Sequence, residues 1–210
     1  MSLKIATAVG PRLNQQKDPV MILKVAPAVA ATLAALPLAA QAQGPSYNYL
    51  EAAYVETDLD GVSSNLDGFS IAGSFELTDR VFMAAGYGKQ SLSSIDFESY
   101  NITAGYAWPV TNRMDLYGTV SYVRAEADGF GFSGSDDGFG LGVGLRNMIP
   151  DRFELEAAVN YVDMSDSGDD TSFGIGARWY FTPQFAVGAT ASFADDAKTY
   201  GLGLRWNFGG

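Results

Sequence analysis

Bulky apolar residues alternate with small or polar ones through the chain from about residue 47 onward. In one stretch Phe69, Ile71, Gly73, Phe75 and Leu77 share a face, and Gly68, Ser70, Ala72, Ser74 and Glu76 share the other. In another, Tyr100, Ile102, Ala104, Tyr106 and Trp108 oppose Asn101, Thr103, Gly105 and Ala107. A third sets Phe139, Leu141, Val143 and Leu145 against Gly138, Gly140, Gly142, Gly144 and Arg146. A period of two marks β-strands with unlike faces. Ten strands are expected, at 47–55, 67–77, 81–90, 99–108, 113–125, 138–147, 153–163, 172–181, 185–194 and 199–208.

Each of these segments carries an aromatic at the same boundary. In order they are Tyr54, Phe69, Tyr87, Tyr100, Tyr122, Phe139, Tyr161, Phe173, Phe193 and Tyr200. One such segment describes any half-buried strand. Ten in succession describe a ring of aromatics at one height, which is what a water–lipid interface selects. Trp108, Phe153, Trp179, Phe185 and Trp206 supply a second ring. The eight residue steps from Tyr100 to Trp108 span about 20 Å of depth for a strand tilted by about 40°. A soluble barrel turns its bulky face inward. Here the small polar set fits a narrow lumen and the bulky set suits lipid. The pattern therefore reads as an all-β, transmembrane, antiparallel up-and-down β-barrel of ten strands. Eight strands is the alternative, with one hairpin left outside the membrane.

Four related turns punctuate the strands: Leu77-Thr78-Asp79-Arg80, Val110-Thr111-Asn112-Arg113, Ile149-Pro150-Asp151-Arg152 and Phe181-Thr182-Pro183-Gln184. Their last residues recur at spacings of 33, 39 and 32, the repeat of a hairpin unit. Thr, Pro, Asp and Asn favour tight turns. Between them lie segments rich in Asp, Ser and Gly, read here as longer loops at the opposite end. Short turns at one end and long loops at the other is the asymmetry of bacterial outer-membrane barrels, in which the loops face the medium.

Composition narrows the function. The 210 residues include no Cys and no His. Thiolate metal sites and disulfides are thereby excluded. Without His, a Ser-His hydrolase or an Asp-His protease is excluded as well. The only long apolar stretch comes early. Met21-Ile-Leu-Lys24 opens an Ala/Leu/Val run that ends in Ala40-Gln41-Ala42, the small-x-small pattern of a signal-peptidase site. Residues 1–42 read as an export signal cleaved after Ala42, with Met21 as an alternative true start, and residues 43–210 as the barrel. The remaining chain holds nine basic and 23 acidic residues, a net charge of −14. Such a balance argues against nucleic acid and anionic surfaces as partners.

The strand parities point Glu51, Glu76, Asp115, Glu154 and Glu156 inward, together with Arg146, Arg178 and Arg205. In a narrow lumen charges must be paired or hydrated. They read as a salt-bridge plug across the half nearest the short turns; the functional alternative is a charged constriction that selects ions. Glu154 and Glu156, successive on one face, read as countercharges for arginine more simply than as an acid/base pair. Sixteen further acids crowd the expected loops: Glu56, Asp58, Asp60, Asp67, Asp96, Glu98, Glu126, Asp128, Asp136, Asp137, Asp163, Asp166, Asp169, Asp170, Asp195 and Asp196. They read as solvated, with weak divalent-cation binding as the functional version. Asp58-Leu-Asp60-Gly61 holds only a fragment of calcium-loop spacing. Phe130-Gly-Phe132 reads as an exposed aromatic pair in the third loop.

Tyr47-Asn-Tyr-Leu-Glu-Ala-Ala-Tyr54 and the repeated Gly86-Tyr87 and Gly105-Tyr106 elements resemble a porin-like family of small outer-membrane β-barrel proteins from Gram-negative bacteria. The terminal Tyr200-Gly-Leu-Gly-Leu-Arg-Trp-Asn-Phe208 resembles the final-strand signal read by the outer-membrane assembly machinery, although Gly209-Gly210 follow it. The resemblance implies location in the outer membrane, with the bilayer and lipopolysaccharide as partners. The expected function is a non-enzymatic integral membrane protein, structural or surface-interacting, needing no cofactor or metal. The alternative is a narrow passive channel for small solutes or cations.

Overall fold

A computed structural model describes residues 40–41, 44–129, 131–149 and 152–208. Apart from Ala40–Gln41, which pair with Gly44–Pro45, the expected leader, its cleavage point and the start at Met21 lie outside these residues. Ten strands follow: β1 (Tyr49–Leu59), β2 (Leu66–Glu76), β3 (Val81–Leu92), β4 (Ile95–Thr111), β5 (Met114–Gly129), β6 (Phe132–Ile149), β7 (Phe153–Met164), β8 (Gly168–Tyr180), β9 (Phe185–Phe193) and β10 (Ala197–Asn207). Each pairs antiparallel with the next, and β10 pairs with β1 to close the barrel. This pairing closes the wall, as an up-and-down barrel requires. The ten-strand expectation holds and the eight-strand alternative falls.

Both ends of the described chain meet at one end of the barrel, here the terminal end. Three of its turns share a device. The Thr78 hydroxyl accepts from the Arg80 and Val81 N–H groups, Thr111 from Arg113, and Thr182 from Gln184 and Phe185. A threonine oxygen bonding two or three residues ahead stabilises a tight reversal. The Gly44–Asn48 arm runs under the same end. Asn48 exchanges hydrogen bonds with Glu76, whose carboxylate also accepts from the Tyr47 N–H at 2.8 Å. The Tyr47 ring stacks on Phe82 with centroids 4.3 Å apart.

The opposite end, here the hairpin end, differs from expectation. Its strands run on where long polar loops were expected. The connections are 60–65, 93–94, 130–131, 165–167 and 194–196. Twelve of the sixteen acids lie on strands; Asp60, Asp166, Asp195 and Asp196 lie in connections. Asp, Ser and Gly are poor strand formers, but the wall below fixes each pair of strands in register and the ladder continues upward. Phe132, read as a loop residue, pairs with Gly129; Phe130 lies outside the described residues.

Inside, the barrel is layered. At the hairpin end Leu59, Leu66, Leu92, Ile95, Phe97, Ala127 and Ala197 form an apolar cap. Beneath it lies a belt of hydroxyls and amides, including Ser70, Ser99, Asn101, Thr103, Ser121, Asn160 and Ser172, all buried. Charged residues fill the terminal end. Glycines let large side chains cross this space. A Cβ on Gly105 would overlap the Phe82 ring, and one on Gly144 would overlap the Tyr117 ring. The outer wall is the reverse: Leu141, Ile102, Val120, Leu202, Leu204 and many other large apolar side chains are exposed.

Candidate functional site

The charged layer is assembled by register. Glu51 on β1 stands directly opposite Arg205 on β10, Glu154 on β7 opposite Arg178 on β8, and Arg146 on β6 lies between Asp115 on β5 and Glu156 on β7. Cross-strand neighbours on one face lie about 4.5–5.5 Å apart at Cβ, so opposite charges meet without effort from the backbone.

Arg178 is the hub. It meets Glu154 at 2.8 Å, Glu156 at 3.3 Å and Glu51, from across the lumen, at 3.4 Å. A side chain on Gly188, beside it on β9, would press on the Arg178 stem. Arg205 pairs with Glu51 at 2.5 Å and approaches Glu154 at 3.8 Å; Arg146 approaches Glu154 at 3.5 Å. Phenols complete the set. Tyr117 donates to Glu156, Tyr180 to Glu154 at 3.1 Å, and Tyr47 to Asp115 at 3.3 Å. Arg146 lies over the Tyr47 ring and Arg205 over the Tyr49 ring, at 4.6 and 4.2 Å from the centroids. The relative exposures of Arg146, Arg178 and Arg205 are 0%, 2% and 2%.

Three guanidinium groups thus face four carboxylates in a space with almost no access to solvent. Burying an ion alone costs several kcal/mol, and only a network with its hydrogen bonds filled offsets this. Each carboxylate here has a cation or a phenol in contact. Chemically the arrangement neutralises and cross-ties six strands of the wall.

Of the inward charges expected from parity, Glu51, Asp115, Arg146, Glu154, Glu156, Arg178 and Arg205 are brought together here. Glu76 is not. It is exposed at the last position of β2 and holds the arm at Asn48 and Tyr47. It keeps the inward side, opposite the buried Phe82, but at the barrel mouth and outside the charged layer. Tyr49, Tyr117 and Tyr180 were missed as members, although each shares parity with a charge two residues away. The Ser46 carbonyl, which accepts from Arg146 at 3.4 Å, left no signal.

Nine of the ten ring aromatics, all but Tyr87, are exposed on the outer wall. Tyr87 is half-buried between Phe69 and Tyr100, with centroids 5.9 and 5.1 Å away. Trp108, Phe153, Trp179, Phe185 and Trp206 are exposed toward the terminal end. Asp58 lies on β1, and Asp60 pairs with Lys198 at 3.3 Å.

A family model described as the outer membrane protein beta-barrel domain matches residues 28–181. The chain belongs to this family. Its place is accordingly the outer membrane. Among solved structures, the β domain of the Bordetella autotransporter BrkA is similar at 7% identity and a TM-score of 0.52, over 76% of this chain and 98% of that one. The KdgM porin is similar at 10% identity and a TM-score of 0.45, over 76% and 99%. Neisserial surface protein A is similar at 16% identity and a TM-score of 0.39, over 77% and 96%. These likenesses concern the fold alone. No curated protein matches the chain.

Proposed function

We propose that the protein is a non-enzymatic barrel with a sealed lumen, whose role is structural or surface-interacting. The observation that carries this reading is the occupied cross-section. Arg178 reaches from β8 across the lumen to Glu51 on β1, and the apolar cap stands over the other mouth. A permeating ion would have to displace a buried guanidinium at one end and pass hydrocarbon at the other. In this reading the terminal end, with Arg80, Arg113 and Arg152, faces the periplasm. The carboxylate-rich hairpin end faces the medium, among lipopolysaccharide head groups and weakly held divalent cations. The leader ending near Ala42 brings the chain to the assembly machinery.

The refolded barrel in a planar bilayer is expected to show no steady conductance. A stable open level in the unmodified protein would refute the seal. Orientation has its own check. Ser64→Cys is expected to react with an impermeant maleimide on intact cells, and Asn112→Cys only after the outer membrane is breached. The reverse pattern would invert the topology.

A second reading, the narrow passive channel, is favoured by the mid-lumen belt. The Ser99, Ser172 and Ser192 hydroxyls find no protein hydrogen-bond partner among the described residues, and β6 adds the inward run Gly138, Gly140, Gly142 and Gly144 to the lumen wall. Such groups would line a path for water or a small polar solute. The conductance measurement decides between the two.

A further inference from the structure

The β5–β6 hairpin climbs past its neighbour. β6 pairs with β5 up to Phe132 opposite Gly129, but with β7 only up to Gly138 opposite Met164. The Ser165 N–H then donates to the Asp137 carbonyl at 2.9 Å, and the ladder on that side stops. The Asp166 and Ser167 N–H groups turn instead into the Asp136 carboxylate, at 3.1 and 2.9 Å. Residues 132–136 therefore have a strand on one side only.

The hydrogen-bond phase tells which groups face the open side. The Met148 N–H donates to the Arg113 carbonyl, so even-numbered residues of β6 bond toward β5. Alternation along an antiparallel ladder then turns the N–H and C=O groups of Ser133 and Ser135 away from β5. Both residues are exposed. No described residue takes these backbone groups. Natural edges are usually blunted by Lys, Pro or a bulge, and the segment 131–137 contains neither Lys nor Pro and keeps its register.

Carboxylates surround this edge. Glu126 and Asp128 lie on β5, Asp137 on β6, Asp163 on β7, Asp166 in the following turn and Asp169 on β8. Arg124 is already paired with Glu126 at 2.7 Å. A second copy of the chain would bring the same carboxylates to the same place and be repelled. An extended segment with Lys or Arg at alternate positions would bond the free backbone groups and meet the acids with its side chains, the strand-addition mode of peptide recognition.

We propose that the open edge of β6 at Ser133 and Ser135 takes up a cationic extended segment of a partner protein as an added strand. This rests on the reading of a sealed barrel with a surface role, and the two fail separately, since conductance tests the seal and peptide binding tests the edge. The test titrates the full refolded barrel in detergent with a fluorescent peptide of alternating Lys and Thr. Its controls are a Glu–Thr counterpart and a Lys–Thr peptide N-methylated at alternate amides. The Lys–Thr peptide is expected to saturate and to slow amide exchange at Ser133 and Ser135, and the Glu–Thr peptide not to bind. Backbone methylation is expected to weaken binding about tenfold or more, the equivalent of one or two lost hydrogen bonds. Ser135→Pro, which removes only an edge-facing N–H, is expected to weaken it similarly. Equal binding of the methylated peptide would reduce the contact to charge attraction and overturn the proposal. Absence of binding would overturn it too, as would self-association of the barrel through this edge.

Discussion

Arg178→Ala is expected to lower the urea midpoint of the refolded barrel sharply and, whenever the apolar cap opens transiently, to give a small cation-selective conductance. The guanidinium contacts Glu51, Glu154 and Glu156 at once. Its loss leaves two arginines facing four carboxylates in the charged layer. Breaking a buried pair by removing one partner typically costs about 3–5 kcal/mol, because the other ion stays desolvated. Water entering the vacated space relieves part of that cost, and the same water forms the conducting path. The excess of carboxylates fixes the sign of the selectivity. Arg178→Lys keeps the charge but loses the planar fork, so its midpoint should fall between the two. A double substitution, Arg178→Ala with Glu154→Ala, should cost less than the sum of the singles, since the pair is coupled. If Arg178→Ala left both the midpoint and the conductance unchanged, the cluster would not be the seal.

The resemblance between the chain's alternation and its wall has a limit that follows from geometry. Period-two patterning fixes which side of a strand a residue faces, so Arg146, Arg178 and Arg205 were legible as inward and Leu141 and Ile102 as outward. It does not fix register. Nothing in the order of residues sets Glu51 against Arg205 or carries Arg178 across to β1; those contacts depend on barrel closure. The hairpin end was misread because composition outweighed parity there. Asp96, Glu98, Glu126 and Asp128 argued for loops, yet Ile95, Phe97, Ala125 and Ala127 kept the inward alternation through the same residues and are buried. The apolar cap lies in this misread region, between the ends of expected strands, which is why it went unforeseen. Glu76 kept its inward parity, opposite Phe82, but lies at the strand's end, outside the charged layer.

Leu141→Arg is expected to impair membrane insertion severely while leaving the lumen intact. Leu141 sits mid-strand on β6, is 58% exposed, and stands opposite Val120 on β5 and Tyr161 on β7. Leu141 and Val120 belong to the outer belt, between the ring of Tyr122, Phe139 and Tyr161 and the ring of Trp108 and Phe153. For a wall facing water, exchanging an exposed leucine for arginine would be close to neutral, because little buried area is lost. For a wall facing lipid, an arginine near the midplane of a β-barrel costs about 2–4 kcal/mol and falls toward zero near the interfaces. The depth dependence makes the test sharp. Leu141→Arg should reduce the folded fraction in vesicles, read as loss of the heat-modifiable band. The same substitution at Leu116, closer to Trp108 and the terminal ring, should cost less. At Glu126, above the aromatic ring, it should cost almost nothing. An equal response at all three positions, or no response at Leu141, would mean that the exposed belt does not face hydrocarbon.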